Sequence, residues 1–92
     1  MHTDEYEISI SREINHCQQV VKKTRTKLEE RKQQFKMEYP EAVIAATDGR
    51  LPIQEKELAA WHDDFEALPQ WEQRLEEYRE ALAVMRISAS RF

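Results

Sequence analysis

Residues 58–85 read LAAWHDDFEALPQWEQRLEEYREALAVM, and this stretch decides the fold. Large apolar side chains stand at Leu58, Trp61, Phe65, Leu68, Trp71, Leu75, Tyr78, Leu82 and Met85, at steps of three and four. Such spacing keeps one face of an α-helix apolar. Two consecutive steps of three around Leu68 interrupt it, and Pro69 sits at that point. A proline inside a helix removes one backbone hydrogen bond and crowds the preceding turn. The stripe resumes almost in phase, so the sequence predicts a long helix over about 53–88, kinked or broken near 69. Pro52 suits the first turn of that helix.

Upstream lies a second pattern. Ile14, Val21, Leu28 and Phe35 recur every seven residues, with Ile10, Cys17 and Thr24 in a row beside them. That second row decays into Arg31 and Glu38, so the stripe narrows. Asp4 followed by Glu7 is a capping signal for a helix start. No Gly or Pro intervenes before Pro40, which predicts one helix over about 4–38. The connector 39–53 holds a Pro-first, Gly-last segment between Pro40 and Gly49, the signature of a short helix at 41–47. Two long helices of similar length joined by a connector make an antiparallel αα-hairpin.

Composition agrees. Within 92 residues, charged side chains make up 35% and apolar ones 40%, with one Gly and three Pro. A β protein of this size needs turn residues every 8–12 residues or so, and these are absent. The apolar periodicity opposes disorder, and the length allows one domain, 1–92. A net charge of −4 disfavours non-specific binding to nucleic acid or anionic membrane. The lone Cys17 can form no internal disulfide, no apolar run is long enough for a membrane span, and the acidic start is followed by no signal-like apolar region. The expectation is a cytoplasmic protein.

Charge patterning tests the hairpin. Residues 22–36 hold seven basic side chains against two acidic, and residues 55–66 hold five acidic against one basic. In a hairpin folded about residue 46, the basic block lies opposite the acidic one. Asp4, Glu5, Glu7 and Glu13 then fall near Arg79, Arg86 and Arg91. Exposed pairs are individually weak, but together they favour the antiparallel arrangement.

One seam between two helices is a small shelter for Trp61, Trp71, Phe65 and Phe35. The sequence therefore predicts a homodimer, a four-helix bundle in which Val21, Leu28, Phe35, Trp61, Phe65, Trp71, Leu75 and Leu82 form core and self-association surface. The alternative is a monomeric three-helix bundle, which requires the chain to reverse at Pro69, where no Gly or Asn makes the turn.

Several constellations bear on chemistry. Glu13-x-x-His16 has the spacing that places two metal ligands on one helix face, and a dimer could add Glu76 or Glu80. Both residues flank the apolar stripe, however, and His62 has Ala59 in the corresponding position, so the pair reads as a solvated helix face with no metal or cofactor. The basic stretch 22–36 could grip a phosphate backbone, but it lacks interleaved exposed aromatics, and the acidic partner strip explains it internally. Cys17 lies on the apolar stripe and reads as a core residue. No Ser/His/Asp arrangement or paired-Cys motif is present, and a single Gly excludes a phosphate-cradling loop, so the sequence does not predict an enzyme. Tyr39, Val43, Ile44, Leu51 and Ile53 gather apolar groups at the hairpin tip, a candidate patch for an unknown protein partner. Phe92 is a possible C-terminal anchor. The function expected is protein–protein interaction (adaptor, small chaperone, regulator or assembly factor). A nucleic-acid-binding regulator and a metal-binding bundle are the alternatives.

Overall fold

A computed structural model describes residues 4–90. Three helices follow one another: α1 (Asp4–Phe35), α2 (Tyr39–Thr47) and α3 (Glu55–Ser90). The two long helices pack against each other as an antiparallel hairpin, and α2 folds over the tip onto α3. Arg91 and Phe92 lie outside the described residues. The hairpin is a rod measuring 64 × 17 × 17 Å with a radius of gyration of 18.9 Å. A compact domain of this length would have a radius of gyration of about 12 Å.

The seam follows the two rows of α1. Ile10, Cys17, Val21 and Thr24 are buried from that helix, and Trp61 and Leu75 from α3. Cys17, Val21 and Leu75 form its centre, with Ile14, Leu68, Trp71 and Tyr78 packed around them. Two ion pairs join the long helices: Arg86 with Glu7 at 3.4 Å, as the charge patterning expects, and Arg25 with Glu72, which lies beyond the acidic block 55–66. Arg31 donates to the Glu57 carbonyl at 2.8 Å, which explains why an arginine ends the second row. Among the described residues, no helix is long and apolar enough to cross a membrane.

Pro69 neither breaks α3 nor reverses the chain. The three-helix alternative built on that reversal is therefore not adopted, and the third helix is the nine-residue α2 instead. Pro69 is exposed, so its ring points away from the seam and only one backbone bond is lost. Leu68 and Leu75 straddle it and both pack into the seam, which holds the two halves of α3 in line.

The joints depart from the sequence reading by a few residues. α1 stops at Phe35 rather than near 38, because Lys36 takes a left-handed conformation (φ 61°) and its N–H closes onto the Lys32 carbonyl at 2.8 Å. Nothing in the composition marks that stop. Pro40 occupies the first turn of α2, as its fixed φ favours. Past Thr47, the Gly49 N–H donates to Ala46 and the Arg50 N–H to Ala45, at 3.2 and 2.9 Å. This is a Schellman closure, with Gly49 at φ 79° supplying the left-handed residue. Pro52 sits ahead of α3, at the centre of a three-residue turn in which the Ile53 N–H donates to the Leu51 carbonyl at 2.9 Å. The Gly49→Ala variant is expected to lose about 1 kcal/mol, since an L side chain is disfavoured at that φ. No neighbour lies near a Cβ built there, so urea unfolding would read the backbone cost alone.

Candidate functional site

The tip is built around Trp61, the largest fully buried side chain at 1% exposure. Phe35 stacks on it at 5.2 Å, from the last residue of α1. Tyr39, the first residue of α2, meets its edge at 5.8 Å. Tyr39 also packs against Phe65 at 5.0 Å, and its Oη shares a 2.8 Å hydrogen bond with His62 Nδ1. Ala42 and Ala45 are the buried face of α2, small enough to let it lie close to α3. Trp61 is thus covered within one chain. Of the four seam aromatics, Phe35, Phe65 and Trp71 stay half-buried.

Beside this cluster an open cleft of about 240 Å³ runs between Leu28, Lys32, Tyr39, Pro40 and Phe65. Of the tip residues singled out from the sequence, Ile44 is 58% exposed, while Tyr39, Val43, Leu51 and Ile53 are half-buried. Among the seam residues, Val21, Trp61 and Leu75 are buried and Leu28, Phe35, Phe65, Trp71 and Leu82 are half-buried.

Farther along the rod, the two flanks of the seam differ. Arg25, Glu72, Glu7 and Arg86 mark one flank with ion pairs across the helices. Trp71 marks the other. His16 of α1 meets its ring edge-on at 5.7 Å, and the Arg74 guanidinium lies over it at 4.8 Å. The doubled step of three at Leu68 accounts for this. It moves the apolar stripe sideways on α3, so Phe65 lines the tip cleft while Trp71 and Tyr78 open toward the opposite flank. The seven-residue spacing of Asp64, Trp71, Tyr78 and Met85 is the signal that separates this second row.

Glu13 and His16 are both exposed, and His16 is engaged with Trp71. Among the described residues no three His, Cys, Asp or Glu side chains come together as a metal site. Glu76 lies 3.9 Å from Arg79 on its own helix. Cys17 is fully buried in the seam, and burial, with Glu13 adding to it, pushes its thiol pKa above the ordinary 9.0. That shift is opposite to what activates a nucleophile. Within the basic stretch, Arg25, Arg31 and Lys32 are engaged with Glu72, the Glu57 carbonyl and Glu38. Lys22, Lys23 and Lys27 are exposed and form no ion pair among the described residues.

No family model, curated protein or solved structure matches this chain.

Proposed function

We propose that the chain is a protein–protein interaction module, an adaptor, small chaperone, regulator or assembly factor, whose tip receives a partner protein in the cytoplasm. One observation carries the reading: Ile44 stands in solvent on a helix that is itself locked down by Trp61, Tyr39, Ala42 and Ala45. An exposed aliphatic group on a rigid platform beside an apolar cleft suits recognition, because little side-chain or backbone freedom is lost on binding. The cleft has an apolar floor and a rim carrying Glu29, Lys32 and Glu38, which suits an amphipathic segment.

The Ile44→Asp variant is expected to keep its melting transition, with a stability change within about 0.5 kcal/mol for a surface position. A photo-crosslinker placed beside it at Glu41 is expected to capture one defined partner in the wild type and to lose it in Ile44→Asp. Unfolding by Ile44→Asp would assign the residue to the core. Capture that survives it would remove the tip as the docking site.

A further inference from the structure

The rod exposes 7214 Å². A folded monomer of 11.0 kDa normally exposes about 5,600 Å². The excess is large enough to supply the roughly 800 Å² that each partner contributes to a stable interface. The Trp71 flank carries an apolar row of its own. On α3, Asp64, Trp71, Tyr78 and Met85 recur every seven residues, beside a row made by Ala60, Ala67, Arg74 and Ala81. Trp71, Tyr78 and Met85 are half-exposed, and the alanines leave room for another helix to approach closely. The opposite flank is bridged by Arg25–Glu72 and Glu7–Arg86. Among the described residues, no salt bridge joins α1 to α3 on the Trp71 side.

On α1 the same flank is marked by His16, through its contact with Trp71. Lys23 follows His16 by seven residues, and Val20 and Lys27 follow Glu13 by seven and fourteen, so all three share that side. Lys23, Lys27 and Asp64 form no ion pair among the described residues. The flank therefore presents an apolar stripe with free cations on one helix and a free carboxylate on the other, a self-complementary set.

We propose that a second copy of this chain covers the Trp71 flank, forming a four-helix homodimer with both tips at the same end. In that arrangement α1 of each copy runs along α3 of the other. The register already seen, bracketed by Arg25 against Glu72 and His16 against Trp71, sets Lys27 against residues 60–70 of the second copy, a span centred near Asp64, and Val20 against residues 67–77, a span that holds its Trp71. With the tips at opposite ends, α1 would instead lie on α1 of the second copy and α3 on α3, so the cations of one helix would not meet the carboxylate of the other. This surface is separate from the tip, so the proposal stands or falls independently of the one above.

Light scattering across a concentration range is expected to give twice 11.0 kDa. Lys27→Glu, at an exposed position that leaves the seam intact, should raise the dimer dissociation constant about tenfold or more, and adding Asp64→Lys should restore it. Trp71→Glu should give a helical monomer. Spin labels on Thr47→Cys, with Cys17 buried and out of reach, should lie much closer together than the 64 Å length of the rod. A monomer at every concentration, a dimer indifferent to Lys27→Glu, or labels a rod length apart would each overturn the proposal.

Discussion

Trp61→Ala is expected to cost about 3–5 kcal/mol, the range for removing a large aromatic from a core. A protein of this size has about 5–14 kcal/mol of total stability by the per-residue scale, so a large share would be lost. The reason is position as much as size. Trp61 touches the end of α1 through Phe35 and the start of α2 through Tyr39, so its ring ties three helices together. Its removal leaves a cavity whose walls belong to different elements and do not collapse as a unit. Urea unfolding followed by circular dichroism measures the loss, and a value below about 1 kcal/mol would show that the tip is not a structural keystone.

The second large effect concerns Cys17. Its thiol is sealed in the seam with no exposed surface, so an alkylating reagent reaches it only when α1 and α3 separate. Iodoacetamide is expected to react about 10³-fold or more slowly with the native protein than with the urea-unfolded chain, following the fraction of molecules open at a given moment. The pH dependence has a definite sign. Burial raises the folded thiol above its ordinary 9.0, so above that pH the unfolded chain has released a proton that the native protein retains. The unfolded state then binds fewer protons and stability falls as pH rises. Below pH 9 both states hold the proton and this contribution is flat. Alkylation of the native protein at close to the unfolded chain's rate at neutral pH, or stability rising from this group at alkaline pH, would contradict the buried assignment.

Much of the fold was legible because heptad spacing and charge blocks are properties of the chain in order. Rows such as Ile14–Val21–Leu28–Phe35 require no knowledge of what lies opposite, and Pro40 and Gly49 bracket α2 through their own backbone preferences. What stayed hidden depends on contacts between segments distant in sequence. The end of α1 turns on Lys36 adopting a conformation that its side chain does not favour. The resumed stripe pointed to a long helix through Pro69 but did not choose between a kink and a break, which turns on Leu68 and Leu75 both packing into the seam. The burial of Trp61 turns on α2 folding back over it, which no local pattern announces. The candidate surfaces were partly legible for the same reason. The apolar residues of the tip could be named, but only the packed structure separates exposed Ile44 from half-buried Val43, and the Trp71 flank from the Arg25 flank.

The hairpin register also orders events in time. Phe35 and Trp61, at the tip, are 26 positions apart in the chain, whereas Glu7 and Arg86, near the open end, are 79 apart. Joining the distant pair first would cost about 1 kcal/mol more in loop-closure entropy than joining the near one. Once the tip has formed, each further turn of seam closes a loop already shortened by the turn before it. The molecule should therefore zip from its aromatic end toward its termini and fray in the reverse direction. A nascent chain would hold a complete α1 well before it could use it, waiting for Trp61 to emerge and start the closure.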